Sequence, residues 1–303
     1  MNRVRALNLA QLILACGCAT PAPGTGGRPG VDAGPPVLVA AGDIAGVWEA
    51  DEATAKLVES IAPASVLLLG DNAYFNGADD EFADWYAPTW GRFRNKTLPV
   101  AGNHDHATKD LAGYCGYFGP AAQCKSGESY YAMDVGPWRL IVLDSGCNPT
   151  TDCNPMASGS AMMTWLASEL EGQKRRCTLA AWHHPRYSTG AHGNDARSNL
   201  AWAMLADAGV DVVLTGHDHN YERFVPLGAD GVRDDAAGIT QFVVGTGGAT
   251  LRKFDKAASP NTAVRRDDAY GVLKLVLSEG AAEFSMMTTG DAGVVDQGRI
   301  DCH

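Results

Sequence analysis

Short apolar runs recur along the chain, most of them ending in glycine. VLVAAG (37–42), SVLLLG (65–70), TLPVAG (97–102), CTLAAW (177–182) and VDVVLT (210–215) are too short for buried helices and predict buried strands. Between them, residues 50–62 open on an acidic turn and stop before Pro63, which predicts a helix. Residues 79–94, 157–171 and 195–208 also space their apolar positions near the helical period. SYYAMDV (129–135) and WRLIVLD (138–144) predict a hairpin across Gly136 and Pro137. Beyond residue 221 the helical spacing ends, and ITQFVVG (239–245), YGVLKLVL (270–277) and AAEFSMMT (281–288) are strand-like. The expectation is an α/β fold whose last third is mostly β.

Composition changes this picture only at the ends. The chain has 303 residues, 46% hydrophobic and 19% charged, enough to bury a core. A net charge of −11 gives no field for nucleic acid or anionic lipid, so no nucleic-acid-binding surface is expected. Anionic substrates are not excluded, because bound cations reverse a local potential. The opening MNRVRALNLAQLILACGC has a basic start and an apolar run too short to span a bilayer. Residues 1–18 therefore read as a signal peptide, with a lipoprotein-like cleavage site before Cys16. Residues 19–36, rich in Pro and Gly, read as a linker, and 37–303 as one folded domain. Export is expected, with a lipid anchor to the cell envelope through Cys16; without lipidation the chain is periplasmic or secreted. Six further cysteines fit disulfides in an oxidising compartment. Closeness in sequence favours Cys115–Cys124 and Cys147–Cys153, leaving Cys177 with Cys302.

The polar residues after the strands carry the chemistry. VLVAAG is followed by Asp43, SVLLLG by Asp71, TLPVAG by Asn103, His104 and Asp105, CTLAAW by His183 and His184, and VDVVLT by Gly216, His217, Asp218 and His219. Each alone reads as a turn, a helix cap or a packed histidine. Together they make a mixed oxygen and nitrogen set at successive strand ends, where open α/β sheets bind ligands.

In this order the blocks resemble the calcineurin-like metallophosphoesterases. Tyr74, three residues after Asp71, is similar to the tyrosine of the purple acid phosphatase branch. Ala45 stands where many metallophosphoesterases carry a histidine. The resemblance covers residues 42–223. It implies a four-layer α/β/β/α sandwich of two mixed sheets flanked by helices, and two metal ions. One ion would take Asp43, Asp71, Tyr74 and His219; the other would take Asp71, Asn103, His183 and His217. Fe(III) suits the tyrosine site, and Zn(II), Mn(II) or Fe(II) the second. The His-x-Pro spacing to Pro185 favours His183 over His184, which becomes a supporting residue with Asp105 and Asp218, both expected to orient neighbouring histidines. His104 and His192 are expected to face substrate. Glu222 and Arg223 are expected to pair or to anchor a loop, and His106 and His303 to lie at the surface. The implied reaction is hydrolysis of a small phosphomonoester by water activated between the ions. A phosphodiesterase is the enzymatic alternative, and a non-catalytic metal- or phosphate-binding surface lipoprotein the alternative of another class. Nothing in the sequence fixes the oligomeric state.

Overall fold

Strands β1 (Val37–Ala41), β2 (Ser65–Leu68) and β3 (Thr97–Leu98) lie side by side and parallel. β13 (Gly271–Ser278) flanks β1 antiparallel, and β14 (Ala281–Thr288) and β15 (Val294–Asp301) extend the sheet by hairpins. This six-stranded sheet has the order β15-β14-β13-β1-β2-β3. A small ribbon, β4 (Cys124–Lys125) with β5 (Glu128–Ser129), precedes the second large sheet. That sheet holds β6 (Tyr131–Val135), β7 (Trp138–Val142), β8 (Cys177–Ala181), β9 (Val212–Thr215), β10 (Tyr221–Phe224), β11 (Thr240–Val244) and β12 (Thr262–Arg266). Its order is β12-β10-β11-β9-β8-β7-β6, with β7, β8, β9 and β11 parallel. The computed structural model describes residues 34–146, 154–172, 177–291 and 293–303, and Pro35–His303 form one unit. The expected signal peptide, almost all of the linker, and the Cys147–Cys153 bridge lie outside the described residues. No described helix is long and apolar enough to cross a membrane.

Alternation along the central strands explains the layering. In β8, Cys177, Leu179 and Ala181 join the core between the sheets. Ala180 faces the other way, into a second core with Met162, Leu166, Ala201 and Trp202. Both faces of β8 are buried, which is why it reads as an unbroken apolar run. Helices Ala161–Gly172 and Asn199–Asp207 cover that outer face. Helix Ala50–Ile61 buries Ala55 and Val58 against the six-stranded sheet. The result is two mixed sheets packed face to face with helices outside. The disulfides Cys115–Cys124 and Cys177–Cys302 are both formed.

Several expectations are corrected. Residues 79–94 do not form one helix. A turn at Asp79–Glu81 runs into a wide turn at Phe82–Tyr86, and a tight one follows at Trp90–Lys96, because Pro88 and Gly91 interrupt the backbone pattern. TLPVAG contributes only Thr97–Leu98 to the sheet, since Pro99 has no N–H for the ladder. His106 is buried rather than superficial, its Nε2 2.8 Å from Asp144 Oδ1. His303 is exposed as expected, with Nδ1 3.2 Å from Asp211. Glu222 and Arg223 do not pair. Glu222 accepts from Thr189 and Thr262, anchoring a loop, while Arg223 binds Asp296 at 2.7 Å.

Candidate metal centre

The exits of β1, β2 and β3 come from one sheet and those of β8 and β9 from the other, and all five meet at one point. Asp43, Asp71 and His217 hold left-handed backbone, with φ of 60°, 52° and 71°. Such values are uncommon outside glycine and cluster at functional sites. Glycine is required beside them. A Cβ on Gly102 would lie 2.2 Å from Asp71 Oδ1, and one on Gly70 2.4 Å from His183 Nδ1.

Two sets of donors form. In one, Tyr74 Oη lies 3.0 Å from Asp43 Oδ1, 3.2 Å from Asp71 Oδ2 and 3.2 Å from His219 Nε2. In the other, His183 Nε2 lies 3.2 Å from Asn103 Oδ1, 3.2 Å from His217 Nδ1 and 3.2 Å from Asp71 Oδ2. One oxygen, Asp71 Oδ2, therefore faces both sets. His183 Nδ1 donates to the Leu69 carbonyl at 2.7 Å, and His219 Nδ1 to the Thr250 carbonyl at 2.8 Å. These bonds fix both rings with Nε2 turned inward, as second-partner bonds do for ligating histidines. The backbone N–H of His217 donates to Asp43 Oδ2, and that of His104 to Asp71 Oδ1, both at 2.8 Å.

Charge is unevenly distributed here. Burial alone would raise the Asp71 carboxyl, but the charge and hydrogen bond of His183 hold it well below the usual range. Burial lowers His183, yet Asp71 lifts it to about 9. Burial, then the neighbouring His183 charge, push His217 down to about 2. Burial, then Asp43 and Asp71, drive the Tyr74 phenol well above its ordinary 10. Around Tyr74 Oη a single proton faces three acceptors, and two carboxylates share a buried pocket. Such a set has more lone pairs than protons, which suits cations. Asp43, Asp71 and His183 form one grouping compact enough for an ion, and His183, His184 and His217 another.

The supporting residues act differently from expectation. Among the described residues the Asp105 carboxylate makes no hydrogen bond to a histidine ring. It accepts from the Gly102 N–H at 2.8 Å and the Asn72 amide at 2.9 Å, clamping the β2 and β3 exits together. Burial, then the Asp71 charge, raise it to about 7. Asp218 accepts from the Ser188 hydroxyl and, at 2.9 Å, from the backbone N–H of His192, so it holds the His192 loop and no imidazole. His184 Nδ1 pairs with Ser145 Oγ at 2.9 Å, and its ring lies 4.3 Å from that of His217. His104 Nδ1 donates to the Phe75 carbonyl at 2.6 Å, leaving Nε2 on the open side 3.9 Å from Asp71. His192 is exposed and stacks on His217 with centroids 4.2 Å apart. Its Nε2 lies 2.7 Å from Arg252 Nη1. A guanidinium only donates, so this nitrogen accepts. Arg252 and the Asn72–Asp105 clamp escaped sequence reasoning, Arg252 because a lone cation in a loop carries no motif.

The two sheets and the polar strand ends define the class. Residues 36–221 match the calcineurin-like phosphoesterase family, and the chain belongs to it. Within that family it falls in the purple acid phosphatase-like branch. Purple acid phosphatase 21 of Arabidopsis thaliana is 30% identical over 226 residues, 65% of this chain and 49% of that protein. The nucleotide pyrophosphatase/phosphodiesterase of Hordeum vulgare is 25% identical over 295 residues, 80% of this chain and 73% of that one. The purple acid phosphatase PPD1 of yellow lupin (Lupinus luteus) shares the fold, with a TM-score of 0.69 at 19% identity over 88% of this chain and 53% of that one. The chain spans about half the length of the curated relatives it matches first.

Proposed function

We propose that the chain is an exported, two-cation phosphomonoesterase. The observation that carries this is Asp71 Oδ2, which faces two separate donor sets at once. Asp43, Tyr74 and His219 would hold one cation, Asn103, His183 and His217 the other, and Asp71 both. When bound, a cation pair supplies charge that polarises a phosphoryl group and acidifies water. Fe(III) suits the phenolate set, and Zn(II), Mn(II) or Fe(II) the imidazole set.

The chain's own residues then divide the work. The backbone N–H groups of His104 and His217 orient the Asp71 and Asp43 carboxylates. His104, fixed by the Phe75 carbonyl, presents Nε2 to the open side, where a protonated imidazole can donate to a leaving-group oxygen. His192 Nε2 accepts from Arg252, so this nitrogen offers no proton to the transferred group. The two formed disulfides fit an oxidising compartment, and the lipid anchor at Cys16 is part of this proposal.

A second reading, phosphodiester hydrolysis, is favoured by the name of the barley relative. Rates on p-nitrophenyl phosphate and its bis ester, measured on protein with confirmed metal content, separate the two. The monoester is expected to be turned over faster by at least about tenfold, a difference of about 1.4 kcal/mol in barrier. Faster bis-ester turnover selects the diesterase, and no turnover of either ester sinks both.

A further inference from the structure

Five cations lie on the segment 252–266, and they sort into two kinds. Lys253 pairs with Asp267 at 3.2 Å and Arg266 with Asp268 at 2.8 Å. Arg252, Lys256 and Arg265 have no carboxylate within salt-bridge distance among the described residues. All three instead touch one short loop. Arg252 meets His192 at 2.7 Å, Lys256 Nζ donates to the Gly190 carbonyl at 3.1 Å, and Arg265 lies 3.3 Å from Thr189 Oγ1. Arg265 also sits over the Phe254 ring and across from Glu222 in the β10–β12 pairing, which gives it a structural role. Arg252 and Lys256 have none as clear, and both are exposed.

Arg252 is tied to the metal centre from two sides. Its backbone N–H donates to the His219 carbonyl at 2.9 Å, and its guanidinium lies against His192, which stacks on His217. Of five side-chain N–H donors, one is used among the described residues. The others face solvent one ring beyond a candidate ligand. A chain of net charge −11 thus keeps two carboxylate-free cations at the edge of its phosphoesterase site.

We propose that Arg252, with Lys256 beside it, binds a second phosphate group on the substrate, so that the site selects bisphosphorylated esters over monophosphates. The position suits the second phosphate rather than the transferred one, because the His192 ring stands between the guanidinium and His217. A planar fork with free donors matches a phosphate oxygen pair, and Lys256 adds a point charge. This inference rests on the phosphoesterase reading.

The test compares glucose 6-phosphate with glucose 1,6-bisphosphate on the metal-loaded full chain, by turnover and, separately, by calorimetric binding. Wild type is expected to bind the bisphosphate about tenfold more tightly than the monophosphate. Arg252→Gln should reduce that selectivity about tenfold, mainly through KM; Arg252→Lys should restore part of it, and Lys256→Gln should reduce it less. Equal losses on both sugars would show that Arg252 only holds His192 in place, and unchanged selectivity would show that it binds nothing; either overturns the proposal. Binding is read without turnover, so a protein that binds selectively but hydrolyses neither sugar nor p-nitrophenyl phosphate refutes the enzymatic reading alone.

Discussion

Asp43, Tyr74 and His219 present two oxygens and one nitrogen, whereas Asn103, His183 and His217 present one oxygen and two nitrogens, and Asp71 is common to both. The first trio is wholly buried, while Asn103 and His217 of the second are partly open to solvent. Hard, anionic oxygen donors favour a highly charged cation, and neutral imidazole and amide donors a divalent one. One strand-end cluster therefore offers two chemically distinct positions: a closed one suited to a retained ion and an open one suited to an exchangeable ion.

Removing the shared residue should erase the distinction. Asp71→Asn is expected to lose both ions and to lower phosphomonoester turnover by more than about 10³-fold, read by metal analysis and p-nitrophenyl phosphate hydrolysis. Full activity with two ions retained would break the assignment. The halves should then separate in a crossed pair. With Fe(III) at the phenolate set, a visible iron–phenolate charge-transfer band is expected; Tyr74→Phe should lose that band while keeping a divalent ion, and His217→Ala should keep the band while losing that ion, each lowering turnover about 100-fold. If either variant loses both ions, the halves are one unit.

A smaller effect concerns pH. In metal-free protein a His183 raised to about 9 contributes stability that is complete below about 6.5 and disappears as pH climbs through 9. Chelated protein should thus lose on the order of 2 kcal/mol between pH 7 and 9 in urea titrations. Metal-loaded protein, whose His183 is already neutral, should stay level. Equal slopes for the two forms would refute the pairing with Asp71. The smallest change is expected for Asp105→Asn, whose amide oxygen can replace Oδ2, the atom that accepts from both Gly102 and Asn72; metal affinity should fall by less than about tenfold in both halves alike.

Much of this was legible because the candidate site is built from strand exits. Buried strands covered on both sides read as apolar runs, and the first polar residue after each run marks where it stops. Asp43, Asp71, Asn103, His183, His217 and His219 stand out for that reason. β15 gives no such signal. It lies at a sheet edge, largely exposed, and is held to β14 by backbone bonds that any sequence can make. His106 looked superficial because its partner, Asp144, is 38 residues away and nothing local announces it. Arg252 was hidden in the same way, 60 residues from His192. Long-range polar pairing leaves no periodic trace, whereas burial does.

The Cys177–Cys302 bridge has a counterpart in the site. Cys177 opens β8 in the seven-stranded sheet, and Cys302 follows β15 in the six-stranded one, so the bridge fastens the two sheets to each other. His183 leaves the opposite end of β8, where residues from both sheets converge. Cations held there would be a second fastening, reversible where the first is covalent. Closing 125 residues with a disulfide stabilises by about 4–5 kcal/mol on chain-entropy grounds. The two sheets thus behave like the covers of a book, stitched along the spine and clasped at the open edge. A reductant would cut the stitching and a chelator would open the clasp, while the apolar core between the covers stays in place.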